Sequence, residues 1–195
     1  KPLIGEDMGD KDLNVYSKGL VILVEDGLIR SIADSEELIS EYAGSWDKNS
    51  EKLVDMNIID AKGGAIVPGF VDSHTHLIWD GDRSNEMALR QRGLTYSEIS
   101  KLGGGISKTV ESTRSCSIQE LVDLGVQRAS DALRLGTTTM EAKSGYGLST
   151  ESELKLLEAT ARVNLISPCD IQATWLGAHD IPKQKNKGEY IEELI

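Results

Sequence analysis

Cysteines and long apolar runs are scarce in this sequence of 195 residues. The two cysteines, Cys116 and Cys169, form neither a CxxC motif nor a cysteine-rich frame. A disulfide scaffold is therefore excluded, and a reducing, cytoplasmic compartment is expected. Uninterrupted apolar stretches such as residues 20–24 are far shorter than the ~18 residues that a membrane-spanning helix needs. The first residues show no basic start followed by an apolar core, so no signal peptide is recognisable.

Basic residues are also in deficit, with 21 against 32 acidic residues and a net charge of −11. This balance argues against nucleic acid or an anionic membrane surface as the main partner. Ten acids and three bases fall within residues 25–60, and we interpret them as a solvated surface, with recruitment of a basic partner as the alternative. Because 39% of the residues are hydrophobic, the chain has enough apolar material for a globular core and is not disordered by composition.

Histidine is also scarce, with only His74, His76 and His179 in the whole chain. Any site that needs imidazole must be built from these three side chains. Their positions relative to the predicted strands therefore carry most of the functional interpretation.

The first third of the chain has the pattern of β structure. Two apolar segments, residues 20–24 and 28–33, flank Asp26-Gly27, a pair that supplies the positive φ angles of a tight hairpin turn. The sequence thus predicts a β-hairpin here, and we assign residues 1–64 to the N-terminal part of a small β domain.

Two more elements are predicted before residue 65. Ser35 is positioned to cap a short helix over residues 36–42 that Gly44 ends. A further strand is expected to begin at Ile58-Ile59, before a turn at Gly63-Gly64.

From residue 65 onward, apolar runs alternate with amphipathic helical patterns, which favours a parallel α/β sheet. The predicted strands are residues 65–71, 137–142 and 171–176. Three helix starts are predicted from capping boxes, in which a hydroxyl and a carboxylate three residues apart satisfy free N–H groups: Thr95 with Glu98, Ser117 with Glu120, and Thr150 with Glu153.

The helix after Ser117 has one apolar flank and ends at Gly136. Its flank is formed by Ile118, Leu121, Val122, Val126, Ala129 and Leu133. The helix after Thr150 is expected to bury Leu154, Leu157 and Ala161.

Two architectures fit this alternation, an open doubly wound sheet and a closed (β/α)8 barrel. The dinucleotide-binding G-x-G-x-x-G loop is absent, and the glycines at 103–105 follow a helix rather than a strand, so the barrel is favoured. A barrel needs eight strands and three are predicted. We therefore expect residues 65–195 to be the first βα units of an incomplete (β/α)8 TIM-type barrel, and the chain to be a fragment that starts at Lys1 and stops within a helical pattern.

The sequence DSHTH, residues 72–76, directly follows the first of these apolar runs. Residues two apart in a strand point to the same side, so His74 and His76 would present both imidazoles together. Such a pair is a common start to a zinc or iron site. His179 follows the third predicted strand, at the same rim where (β/α)8 enzymes place their sites.

The segment VPGFVDSHTH at 67–76 resembles the first barrel strand of the amidohydrolase superfamily. Four further segments resemble the imidazolonepropionase family within it: HLIWDGDR at 76–83, GGGISKTVESTR at 103–114, EAKSGYGL at 141–148 and LGAHDIP at 176–182. The resemblance implies metal-dependent hydrolysis of the ring amide of 4-imidazolone-5-propanoate to N-formimidoyl-L-glutamate, in histidine degradation. It also implies one metal ion, zinc or iron, held by His74 and His76.

By the same resemblance, Arg83, Tyr146 and His179 bind the substrate. Arg83 would anchor the propionate carboxylate, a task that suits a planar guanidinium. From the residues alone, a surface ion pair of Arg83 with Asp80 or Asp82 is the favoured interpretation. Tyr146 could be an ordinary loop tyrosine, and His179 an ordinary loop histidine.

Glu141 and Lys143 are interpreted as a structural ion pair, and neither is assigned to the site. Arg114 is not assigned to it either.

The resemblance implies that further metal ligands and proton-transfer residues lie beyond this chain, so none is assigned as catalytic here. We expect the 195-residue chain alone to be inactive and poorly stable. The resemblance is compatible with a homodimer of the longer protein. Two alternatives stay open, another cyclic-amide or purine-type amidohydrolase and a non-catalytic metal-binding or interaction module.

Overall fold

A computed structural model describes residues 19–41, 46–47, 52–53 and 57–195. The chain divides into two compact units, one ending at Val67 and one formed by Pro68–Ile195.

The first unit contains the predicted hairpin. Strands β1 (Leu20–Glu25) and β2 (Leu28–Asp34) pair in antiparallel fashion, and Asp26 and Gly27 adopt φ angles of 52° and 76° in the turn. A left-handed conformation at both turn positions matches the twist of the flanking strands. The hairpin prediction is therefore confirmed.

The short helix also forms, but its cap differs from the prediction. Helix α1 spans Ser35–Glu41, and the Asp34 carboxylate, rather than the Ser35 hydroxyl, accepts from the Glu36 N–H at 2.8 Å. The predicted end at Tyr42 and Gly44 lies outside the described residues. A small antiparallel pair, β3 (Trp46–Asp47) with β4 (Lys52–Leu53), follows.

The strand predicted at Ile58-Ile59 is wrong. Both side chains are exposed, Ile59 at 92%, and no segment of the described chain pairs with them. Without a neighbour to accept backbone hydrogen bonds, two adjacent isoleucines do not make a strand. The turn beyond them does form, closed by a 2.8 Å bond from the Gly64 N–H to the Ala61 carbonyl.

The second unit is built on a parallel sheet with strand order β5-β6-β7. Its strands are β5 (Phe70–Thr75), β6 (Thr137–Lys143) and β7 (Asp170–Thr174). An α/β fold with a parallel sheet is thus confirmed, and closure into an eight-stranded barrel stays a prediction. Strand β5 begins five residues later than expected, because Pro68 lacks an N–H and the chain joins the sheet only where the Phe70 N–H donates to the Gly136 carbonyl.

Helices connect the strands and continue beyond β7. Four lie between β5 and β6: α2 (Asn85–Gln91), α3 (Tyr96–Lys101), α4 (Ile106–Ser115) and α5 (Ile118–Arg134). Helix α6 (Thr150–Ile166) connects β6 to β7, and a short 3₁₀ turn (Gly177–His179) and helix α7 (Lys187–Leu194) follow.

The main core lies between the sheet and helices α5 and α6, which contact each other and the same face of the sheet. The predicted flank of α5 faces this core, with Leu121 and Ala129 fully buried. Each large aliphatic side chain removed from water there stabilises the fold by roughly 1.5–3 kcal/mol. Thr139, Glu141 and Lys143 alternate with the core residues of β6 and so lie on its opposite face.

Capping boxes form at Thr95 and Ser117 as predicted, but the third prediction is wrong. Helix α6 is capped instead by Ser149, whose hydroxyl accepts from the Ser152 N–H. Glu153 is fully buried and turned towards the preceding loop.

The buried face of α6 also differs from the prediction. Leu154 is 55% exposed and Ala161 is exposed, while Leu156, Ala159 and Val163 pack into the core. Two polar residues, Glu153 and Thr160, share this buried face and obscure the apolar period in the sequence.

Candidate active site

The carboxyl ends of β5, β6 and β7 carry the three histidines and Tyr146. His74 is in β5 and His76 follows it, Tyr146 lies in the loop after β6, and His179 ends the turn after β7. Because parallel strands bring their carboxyl ends to one edge of a sheet, the four side chains converge there.

The rings form one cluster centred on His76. Its ring centroid lies 4.7 Å from that of His179, nearly parallel to it, and 4.8 Å from that of Tyr146. His74 is 6.3 Å from His76, and Tyr146 is 5.4 Å from His179. His179, which is distant in the sequence from His74 and His76, thus meets them at a single place.

His76 is the histidine best suited to bind a metal. Its Nδ1 atom is buried without a hydrogen-bond partner in the described part of the chain. Burial, followed by the nearby His179 and His74, lowers the pKa of its imidazole. A lowered pKa favours the neutral imidazole, which is the form that binds metals.

The pair His74 and His76 fits a metal ion, because one orphaned nitrogen is already desolvated and the second ring is 6.3 Å away. Among the described residues, no group of three or more His, Cys, Asp or Glu side chains is arranged to hold a metal.

His179 has a different environment from the other two histidines. Its Nδ1 lies 3.1 Å from the Gly145 carbonyl oxygen, and a contact with a carbonyl requires the proton on that nitrogen. In the neutral ring, Nε2 then keeps its lone pair. A Cβ at Gly145, where φ is +120°, would lie 2.9 Å from His179 Nδ1, so only glycine allows this approach.

The loop that carries Tyr146 is held by Glu153, for which the sequence predicts a helix cap. The carboxylate of Glu153 accepts the N–H groups of Gly145, Gly147 and Leu148, each at 2.7 Å. A Gly-x-Gly loop directly before a helix with an acid in its first turn is the sequence signal for such an arrangement.

Arg114 holds the same loop from the other side. It donates to the carbonyls of Gly147 and Leu148 at 2.5 and 2.7 Å, a role that sequence reasoning did not assign. The backbone beside Tyr146 is therefore fixed by two charged side chains. Burial also raises the pKa of the Tyr146 phenol.

Arg83 and Tyr146 line one cavity of about 360 Å³, together with Trp79, Gly81, Ser84, Glu86, Met87, Arg90 and Thr109. Arg83 is not paired with Asp80 or Asp82, so that alternative is wrong. It forms a two-pronged ion pair with Glu86 instead. Asp80 accepts from Ser112, and Asp82 from Ser84.

The interpretation of Glu141 and Lys143 as an ion pair agrees with the geometry. Lys143 Nζ lies 2.7 Å from Glu141 Oε1, and the Thr174 hydroxyl donates to the same oxygen. These two hydrogen bonds lower the pKa of Glu141, and the larger effect comes from Lys143. This group lies on the sheet face away from the core, beside His74.

The site thus joins an imidazole pair that fits a metal to a cavity that carries an arginine. Comparison with known proteins agrees with a site of this kind, because residues 57–113 match the amidohydrolase family. These residues include both histidines of the pair and Arg83.

More specific similarity covers the whole chain. It is 39% identical over 196 residues to the imidazolonepropionase of Geobacillus kaustophilus, covering 100% of this chain and 44% of that protein. The Symbiobacterium thermophilum imidazolonepropionase is 41% identical with the same coverage. A probable imidazolonepropionase of Dictyostelium discoideum is 38% identical over 194 residues, covering 99% of this chain and 43% of that protein.

These matches show similarity to the amidohydrolase family over residues 57–113 and to imidazolonepropionases over the whole chain, in agreement with the sequence motifs. The chain spans less than half the length of these curated relatives. Across the described residues, no helix combines the length and apolar character needed to cross a membrane.

Proposed function

We propose that this chain supplies metal-binding and substrate-binding residues to a hydrolase that opens the ring of 4-imidazolone-5-propanoate. Cleavage of the ring amide C–N bond gives N-formimidoyl-L-glutamate, a step of histidine degradation. One observation carries the proposal: Tyr146 contacts the histidine cluster and also lines the cavity of Arg83. A metal-binding end and an anion-binding end therefore adjoin, as a small ring with a carboxylate tail requires.

In this proposal His74 and His76 hold one metal ion, zinc or iron. When bound, the ion lowers the pKa of water towards ~7 and polarises a carbonyl group. The lowered pKa of His76 supports this role, since a ligand must bind without its proton.

The other residues bind and orient the substrate. The raised pKa of Tyr146 keeps its phenol protonated as a hydrogen-bond donor. His179, fixed through Nδ1 by the Gly145 carbonyl, offers Nε2 to the ring. Arg83 binds the propionate carboxylate. No residue of this chain is proposed for proton transfer.

The architecture that fits this function is the (β/α)8 barrel with a small N-terminal β domain. Helices α5 and α6 cover the same face of a sheet in sequential strand order. Successive βα units of a barrel have this arrangement. Two free cysteines support a reducing, cytoplasmic location. A homodimer stays a prediction of the family resemblance.

The decisive experiment replaces Arg83 with Ala in the complete protein. We expect KM for imidazolone propionate to rise about 10- to 100-fold, since a charge-assisted pair is worth about 1.5–3 kcal/mol. An analogue with an amide in place of the carboxylate should be little affected. If the parent protein and Arg83→Ala show equal kinetics on imidazolone propionate and on its amide analogue, another cyclic-amide or purine-type amidohydrolase is favoured.

A further inference from the structure

We propose that Glu86 is the positioning residue that fixes which edge of the Arg83 guanidinium faces the cavity, and thereby sets the preference for carboxylate-bearing substrates. This inference rests on the proposed function. It begins from a two-pronged contact: Arg83 Nε donates to Glu86 Oε1 at 2.9 Å, and Nη2 donates to Oε2 at 2.8 Å. Glu86 is buried, with 5% of its surface exposed.

A third hydrogen bond fixes the Glu86 carboxylate itself. The backbone N–H of Gly105 donates to Oε1 at 2.7 Å. A Cβ at Gly104 would come within 2.9 Å of the same oxygen and 2.8 Å of Ile99 Cγ2. The carboxylate is thus enclosed by the glycine loop, and rotating it away would leave the Gly105 N–H without its acceptor.

The geometry of arginine turns this contact into a constraint on the substrate. A guanidinium offers two parallel pairs of donors, one along Nε and Nη2 and one along Nη1 and Nη2. Glu86 occupies the first pair, and no described residue accepts from Nη1. The remaining edge, Nη1 with the second hydrogen of Nη2, is the one available to a carboxylate in the cavity.

The charge balance makes the effect of Glu86 testable. Arg83, Arg90 and Glu86 line one cavity, so the negative charge of Glu86 by itself weakens the binding of an anion. Removing that charge lowers KM if electrostatics dominate, and raises KM if orientation dominates. Our proposal requires the second outcome.

The test compares Glu86→Gln, Arg83→Lys and Asp131→Asn in the complete protein, with imidazolone propionate and its neutral amide analogue. Glu86→Gln should raise KM for the carboxylate substrate about tenfold, leave kcat within about twofold and leave KM for the amide unchanged. Asp131→Asn is the matched control, because Asp131 pairs with Arg134 at the same i,i+3 spacing on an exposed helix surface.

The outcomes separate this inference from the proposed function. A lower KM, or equal rises for both substrates, with Glu86→Gln would overturn the positioning role. If Arg83→Lys leaves the discrimination between the substrates intact, the anchoring role of Arg83 fails and the proposed function with it. Should Glu86→Gln not fold, Glu86→Asp keeps the charge but withdraws it by one methylene. The same selective rise in KM is expected there, and unchanged discrimination would overturn the proposal.

Discussion

At the scale of single residues, Tyr190 couples stability to alkaline pH. Its side chain is 2% exposed, and its hydroxyl donates to the Gly177 carbonyl at 2.5 Å. Burial, followed by the charge of Glu153, raises the pKa of the phenol to about 12. The unfolded phenol ionises near pH 10. Between these values the folded state binds more protons than the unfolded state. The stabilisation that Tyr190 contributes through this pKa difference is therefore fully present below pH 10 and is lost as pH rises towards 12.

Tyr190→Phe should therefore flatten the dependence of unfolding free energy on pH above 10. At pH 7 the substitution should cost about 1 kcal/mol, the typical net value of one buried hydrogen bond. Urea unfolding at pH 7, 10 and 11 checks both effects. Tyr96→Phe, at a 51% exposed position, is the control that should retain the slope due to Tyr190. An unchanged slope in Tyr190→Phe would show that another group controls alkaline stability.

Glu153 shows where prediction from local sequence fails at this scale. The hydroxyl–x–x–carboxylate pattern is the same at Thr95, Ser117 and Thr150, and only the third does not form a capping box. Three backbone N–H groups in the preceding loop compete for the Glu153 carboxylate. Three charge-assisted bonds outweigh one helix cap, and they depend on the path of the loop, which no local pattern reveals.

At the scale of structural elements, the loop 144–148 depends on that carboxylate. Glu153→Gln places an NH₂ group against donors that need an acceptor, and should destabilise the protein by about 1–3 kcal/mol. It should also lower kcat/KM, because the loop carries Tyr146 and the carbonyl that orients His179. Denaturant unfolding and steady-state kinetics measure the two effects.

Glu151→Gln is the matched control, since Glu151 lies in the same first turn of α6 and is exposed. It should change neither quantity appreciably. Comparable losses in both variants would point to the charge at the start of the helix, rather than to the loop contacts, as the cause.

The strands differ in how far their sequences predict them. Strand β6 lies within one residue of its prediction, because β-branched residues fill its start and Gly136 and Gly145 bound it. Strand β5 is displaced towards Asp72, Ser73 and His74, polar residues with no apolar alternation. These residues carry the polar groups of the site and have no strand pattern of their own. They form a strand because they pair with β6.

At the scale of the whole molecule, convergence of the three histidines could be predicted without a structure. Each follows or ends a predicted parallel strand, and parallel strands share one carboxyl edge. The partner of Arg83 could not be predicted in this way. Glu86 is three residues along the chain, and the Gly105 N–H, which comes from a loop 19 residues further on, holds its carboxylate in place.

The division of roles among the histidines gives a prediction for metal content. His76 Nδ1 has no partner in the described structure, whereas His179 Nδ1 faces the Gly145 carbonyl. His74→Ala and His76→Ala should each reduce the metal retained by the complete protein, measured by elemental analysis after dialysis, by about tenfold or more. His179→Ala should retain metal near the parent stoichiometry and show a raised KM instead. Loss of metal in His179→Ala equal to that in His76→Ala would make His179 a third ligand, since its ring stacks 4.7 Å from that of His76 and could turn Nε2 to the same ion.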